Sequence, residues 1–363
     1  VGLNKYWARN YRSLVDVELD LGQLTVVVGQ NGSGKTNLYR ALELISRGAR
    51  GELARTLLKQ GGMPSVLYAG NRPRRKGEPA RVVVGVNIDD LSYELALGLP
   101  PPSGTVFPLD PEVKEEVVWF GPRRTPRSII ADRAGSTAIL VGADGVRVPI
   151  VTAINPAEPV LSQVGDPTRF PELFALRNSL AGWRFYHDFP TGQDAHARWP
   201  QTGVRTPVLA DDGHDLAAAV ATIQEIGASD LLEDAIAEAF PGSQLDVLGQ
   251  DGTYALQMQQ LGLSRPTLGA EFSDGTLRFL YLAVALLSPR APGLLVINEP
   301  ETGLHAPVLA PLAGLIREAS SASQVFVTTH SQALADLLAD CGSKSFTVTR
   351  ASDGVTEVKA DRA

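Results

Sequence analysis

Apolar and polar positions along this chain change their rhythm several times. From Lys5 to Val28 they alternate as in strands around a turn at Leu21-Gly22-Gln23. Alternation resumes from Arg81 to Leu99, where Val82-Val83-Val84 and Ser92-Tyr93-Glu94-Leu95 read as strands. Pro and Gly thicken at Leu99-Pro100-Pro101-Pro102-Ser103-Gly104, and shorter strand-like pieces follow at Val117-Val118-Trp119-Phe120 and Val146-Arg147-Val148-Pro149-Ile150. Helical spacing then takes over. Pro171 to Leu180, Asp215 to Ile226 and Asp230 to Phe240 read as helices, the last stopped by Pro241-Gly242. Beyond strand-like stretches at Gln244 to Leu248 and Tyr254 to Gln259, the segment Leu277 to Leu287 is apolar nearly all round, as in a buried helix. Gly293 to Ile297 and Gln324 to Val327 are unbroken apolar runs, the mark of parallel strands covered on both faces. The pattern predicts an α/β fold.

Where the unbroken runs end is where the chemistry begins. Leu24 to Val28 leads into Gly29-Gln30-Asn31-Gly32-Ser33-Gly34-Lys35-Thr36, a complete Walker A loop, and Asn37 to Ile45 continues with helical spacing. Glycines let backbone N–H groups close around phosphates at a helix N-terminus, Lys35 can reach the terminal phosphates, and Thr36 offers a hydroxyl to Mg²⁺. The loop predicts a nucleoside triphosphate. Ile297 leads into Asn298-Glu299-Pro300-Glu301, where Glu299 is the candidate general base or water-positioning carboxylate. Val327 leads into Thr328-Thr329-His330, and His330 can donate to a γ-phosphate. Ligands of parallel sheets gather at the carboxyl ends of strands, so the three endings are expected to converge on one nucleotide. His305 is an equal candidate for a partner contact or a plain surface residue. Ser273, in Glu271-Phe272-Ser273-Asp274-Gly275-Thr276, is a natural N-cap for the buried helix after it.

Composition narrows the setting. With 44% hydrophobic and 20% charged residues over 363 positions, the chain reads as an ordinary globular protein. The longest apolar run, Phe279 to Leu287, is too short to span a bilayer, and the N-terminus lacks a signal-peptide pattern, so a cytoplasmic protein with no membrane partner is expected. The single Cys341 cannot form an intramolecular disulfide. A net charge of −7 repels polyanions, so duplex DNA is a candidate partner only through local basic loops, Arg72-Pro73-Arg74-Arg75-Lys76 and Arg123-Arg124-Thr125-Pro126-Arg127.

Five stretches together carry a family resemblance: Asn10-Tyr11-Arg12-Ser13-Leu14, the Walker A loop, Ser273-Asp274-Gly275-Thr276, Asn298 to His305, and Thr328-Thr329-His330-Ser331. The chain resembles the RecF/SMC branch of ABC-type ATPases, close to stand-alone RecF-like ATPases and related to the ATPase halves of OLD-type and AbiEii-type defence proteins. The resemblance implies a P-loop fold with a mixed sheet, flanking helices and a more helical insertion lobe. Residues 1–154 and 266–363 would form the ATPase lobe, and residues 155–265 the insertion. It also implies ATP and Mg²⁺ held between two subunits, with Ser273 and Gly275 of one touching the γ-phosphate bound by the other. Arg12 would lie near the nucleotide and Gln60 in Lys59-Gln60-Gly61-Gly62 would be the Q-loop residue, with a plain surface position the equal alternative for both, and Thr36 and Asn298 would serve the metal.

Departures from the family pattern matter. The chain lacks the heptads of an SMC coiled coil, and with its end at Ala363 the TOPRIM nuclease domain of OLD proteins is not expected. Asp274 stands where many relatives have Gly, and is expected to turn away from the phosphate. Asn298 replaces the usual Walker B Asp, which predicts weak metal affinity and slow turnover, with Glu301 the nearest alternative carboxylate. The implied function is an ATP-dependent switch in DNA repair or genome maintenance. The alternative is an ATP-gated interaction module, such as the sensor subunit of a phage-defence or toxin system with a protein partner.

Overall fold

The computed structural model describes residues 2–70, 80–101, 106–150, 154–339 and 342–361. The chain divides into two compact units, the first comprising Val1–Gly22, Gly29–Trp183 and Phe346–Arg362 and the second Gln23–Val28 and Arg184–Ser345.

The first unit is built on an eight-stranded sheet in the order Leu14–Asp20, Leu3–Tyr11, Val82–Ile88, Leu91–Gly98, Glu112–Phe120, Ile129–Ala134, Thr137–Val141 and Arg147–Ile150, with antiparallel neighbours throughout. Helix Lys35–Ala49 packs on the two strands Leu3–Tyr11 and Val82–Ile88, with Leu38, Leu42 and Ile45 wholly buried. The buried Tyr6 hydroxyl meets its hydrogen-bonding need by donating to the Leu38 carbonyl at 3.0 Å. Glu116 and Arg133, both fully buried, face each other at 3.7 Å. Glu116 accepts from the Val160 and Leu161 amides and Arg133 donates to the Asn155 and Glu158 carbonyls, so the pair ties the segment after the last strand to the sheet. Burial pushes the Glu116 carboxyl up, against the pull of those donors. The hairpin of Lys344–Arg350 and Thr356–Ala360 belongs to this unit from Phe346 onward.

In the second unit, strands Arg184–Tyr186, Leu294–Asn298, Gln324–Thr329 and Leu24–Gly29 lie side by side in that order, all parallel. The last of them hands over to the first unit at Gly29. The apolar runs read from the sequence are these strands, with Leu294 to Ile297 and Val325 to Val327 buried. Helix Asp274–Leu286 is buried continuously from Phe279 to Leu286, because its apolar residues meet neighbours on every side. Helices Leu216–Ile226, Ser229–Ala239, Leu309–Ala322 and Gln332–Ala339 share one core with it and with the strands. Strands Ser243–Gln250 and Thr253–Gln260 pair antiparallel and contribute Leu245, Leu256 and Met258 to that core. None of the described helices is long and apolar enough to cross a membrane.

Candidate nucleotide site

In the first unit, the Walker A segment turns at Gly34 (φ +109°), and helix Lys35–Ala49 begins at the next residue. Neither a side-chain cap nor an acid occupies its first turn, so its amide end suits an anion. The Lys35 ammonium, on a buried side chain, donates to the Gly29 carbonyl at 2.6 Å and the Gln30 carbonyl at 3.0 Å, which folds it back over the loop that it closes. Gln30, Asn31 and Gly32 are exposed, Ser33 is buried, and Thr36 and Asn37 are half-buried. Asn37 Nδ2 donates to Ser13 Oγ at 2.8 Å. Arg12 and Gln60 are brought together: Arg12 Nη2 donates to Gln60 Oε1 at 3.3 Å, and the Tyr11 hydroxyl donates to the same oxygen at 2.8 Å. Arg12 itself has a left-handed backbone (φ +49°).

In the second unit the strand endings line up. Asn298 pairs with Thr328, and Thr329 with Val28, so the residues before the Walker A loop, the Asn-Glu pair and the histidine turn stand at one edge of three adjacent parallel strands. The Thr328 hydroxyl donates to Asn298 Oδ1 at 2.7 Å. Glu299 takes a left-handed backbone (φ +48°), an uncommon conformation for a side-chain-bearing residue. Its N–H donates to the Thr328 carbonyl at 2.8 Å, while its own carbonyl accepts from Thr302 at 3.1 Å and from Arg278 Nη2 at 3.3 Å. Glu301 is the buried member of the cluster. Its Oε1 accepts from the Thr329 hydroxyl at 2.6 Å and from the His330 and Ser331 amides at 2.8 and 3.2 Å. His330 Nδ1 lies 3.1 Å from Glu301 Oε1 and 3.8 Å from Glu299 Oε2, with its side chain 39% exposed. Among the described residues, no three His, Cys, Asp or Glu side chains gather to hold a metal by themselves.

Ser273 caps helix Asp274–Leu286, its Oγ accepting from the Thr276 amide at 3.1 Å. Asp274 turns onto Arg198, whose Nη2 lies 2.7 Å from its Oδ1. Arg198 also donates to the Thr191, Gly192, Ala270 and Phe272 carbonyls, so one guanidinium fixes the approach to the helix. A Cβ on Gly275 would stand 3.0 Å from the Gly303 carbonyl, so the helix start packs closely on the turn just after Glu301.

Arg198, Arg278 and the clamp role of Glu301 are not apparent from the sequence. Arg278 left one signal, a lone charge inside an otherwise apolar helix; burial lowers its pKa, while Asp188, Glu301 and Glu299 draw it back up. His305, Arg123, Arg124 and Arg127 are exposed. The basic run Arg72 to Lys76 and Cys341 lie outside the described residues.

A family model described as "AAA domain, putative AbiEii toxin, Type IV TA system" matches residues 24–336. A stretch of 43 residues is 46% identical to an OLD nuclease of Thermus scotoductus (strain ATCC 700910 / SA-01), covering 12% of this chain and 8% of that protein. Among solved structures, the SmcHead bound to the C-winged helix domain of ScpA matches with a TM-score of 0.61 at 15% identity, over 99% of this chain and 98% of that one. The SMC head domain from Thermotoga maritima matches with a TM-score of 0.53 at 15% identity, over the whole of both chains (100% each). At such identities the likeness is one of fold.

Proposed function

The chain belongs to this AAA-domain family and has the P-loop fold of the RecF/SMC-like ATPases, and from that premise we propose that it is an ATP-operated switch, one that hydrolyses ATP slowly and pairs with a second copy while ATP is bound. The observation that carries this reading is the alignment of the strand endings at Val28, Asn298 and Thr329, each leading into residues suited to phosphate chemistry. The open amide end after Gly34 and the buried Lys35 amine fit a polyphosphate, with Gly29 to Asn37 forming its cradle. Thr36 and Asn298 would hold Mg²⁺, which when bound neutralises phosphate charge. Glu299 orients the attacking water and accepts its proton, and the exposed His330 ring donates to the terminal phosphate. Ser273 and Gly275 of one copy complete the site of the other, and Arg12 and Gln60 act as one unit beside the nucleotide.

Asn298 supports slow turnover. It lacks the charge of an Asp, and its amide oxygen already accepts from Thr328. That chemistry suits either genome maintenance, with duplex DNA reached through exposed Arg123 and Arg124, or a sensor in a toxin or phage-defence system. The family description and the short OLD-nuclease stretch favour the second setting. Sedimentation with ATP and Mg²⁺ tests the switch: the wild type should dimerise, whereas Ser273→Arg should bind ATP and stay monomeric. A wild type that stays monomeric at saturating ATP would contradict the reading.

A further inference from the structure

Behind the Walker A loop, three distant parts of the first unit meet in a chain of hydroxyls. Asn37 Nδ2 donates to Ser13 Oγ at 2.8 Å, Ser13 Oγ lies 2.7 Å from Thr356 Oγ1, and Thr356 Oγ1 donates to the Ser33 carbonyl at 3.1 Å. A hydroxyl has one proton to donate. Thr356 gives its proton to Ser33, so Ser13 must donate to Thr356, and all three bonds point the same way and polarise one another. The Thr356 amide also donates to the Ser13 carbonyl at 2.9 Å, which locks the two residues in register. Thr356 is 3% exposed, so water has little access to break the chain.

The two ends of this relay are Ser33 and Asn37. Between them lie Gly34, Lys35 and Thr36, the turn and first helical residues at the uncapped amide end that suits an anion. The relay is therefore a staple across that turn. A Cβ on Gly34 would collide with the Thr356 hydroxyl, so the staple packs directly against one of the two glycines, Gly32 and Gly34, whose positive φ shapes the loop.

We propose that Ser13 and Thr356 are positioning residues for nucleotide binding, holding the phosphate loop in its accepting shape from behind. The inference rests on the nucleotide reading above and adds to it two residues outside the Walker A motif, one near each end of the chain. Because the staple acts on the part of the loop shared by both nucleotides, its loss should weaken ADP and ATP alike. Changes at Glu299 or Ser273 should instead affect only the steps after ATP binding.

The test is equilibrium binding of ADP and of ATP, with Mg²⁺, to the full chain. Ser13→Ala and Thr356→Val should each weaken both nucleotides about 3- to 10-fold, with the KM for ATP rising more than kcat falls. The double variant should bind no worse than the weaker single one, because a chain broken once is already broken. Thr356→Ser, which keeps the hydroxyl, should stay within about twofold of wild type. Wild-type affinity in Ser13→Ala, or equal damage from Thr356→Ser and Thr356→Val, would overturn the proposal. Should Thr356→Val fail to fold, Ser13→Ala decides, since it removes one hydroxyl and adds no bulk. A folded wild type that binds neither nucleotide would overturn the nucleotide reading itself. A wild type that binds while Lys35→Ala does not, with Ser13→Ala unchanged, would overturn only the staple.

Discussion

The turn that opens the phosphate loop and the turn that carries His330 are held by different means. In the first unit, the loop is shaped by a glycine in a left-handed conformation and by neutral hydroxyls from Ser13 and Thr356. In the second, one buried carboxylate, Glu301, gathers a hydroxyl and two amides, and arginines fix the neighbouring segments: Arg278 at the Glu299 carbonyl, Arg198 at Asp274. A loop that must accept a polyanion gains nothing from a carboxylate in its frame. A turn that presents a histidine can be anchored by a charge where donors meet that charge in the interior.

The contrast breaks most readily at Glu301. Glu301→Ala would strand the Thr329 hydroxyl proton and the His330 amide, while the Ser331 amide keeps its bond to Thr329 Oγ1, and should cost on the order of 3 kcal/mol by urea denaturation, whereas Ser13→Ala should cost about 1 kcal/mol. Equal losses would mean that the two turns are held alike. Asn298→Asp should come next in size. A restored carboxylate should raise phosphate release, or lower the Mg²⁺ requirement, about 10- to 100-fold in a Mg²⁺ titration at saturating ATP. No change in either would mean that another group already serves the metal.

The smallest effect concerns acid. Arg265 and the Leu268 amide hold the Glu271 carboxyl down at about 2, below the ordinary value of 4.5. A depressed acid contributes stability that is fully present above its unfolded pKa and is lost as pH falls through the folded one. The segment leading to Ser273 should therefore loosen slightly between about pH 4.5 and pH 2, while the uncharged staple behind the phosphate loop contributes no titration of its own. NMR titration checks this, and Arg265→Ala should return Glu271 toward the ordinary carboxylate range.

Much of the α/β architecture was legible because its signals are contiguous. The unbroken runs at Leu24, Leu294 and Gln324 are parallel neighbours, and the helices expected at Pro171, Asp215 and Asp230 form within a residue or so of their predicted starts. The Walker A loop announces itself in eight successive residues. What stayed hidden depends on residues far apart in sequence. Ser13 and Thr356 are separated by 343 positions, and nothing local in either marks a contact with Gly34. Glu301 reads as a spare carboxylate until the fold brings the Thr329 turn against it. Asp274 was expected to turn from the phosphate; its carboxylate pairs with Arg198, a partner 76 residues away that no spacing rule would find, and Ser273 caps the helix. Helix Leu53–Lys59 escaped notice because seven residues give too little periodicity.

In an ATP-operated switch of the kind proposed, Glu299 should serve the chemistry rather than the binding of the nucleotide. Phosphate release at saturating ATP and Mg²⁺, measured with nucleotide occupancy on the same samples of wild type and Glu299→Gln, tests it most directly. The wild type should turn over slowly but repeatedly, and Glu299→Gln should run at least about 100-fold slower with ATP still bound. Equal rates in the two proteins, or loss of ATP binding in Glu299→Gln, would contradict it.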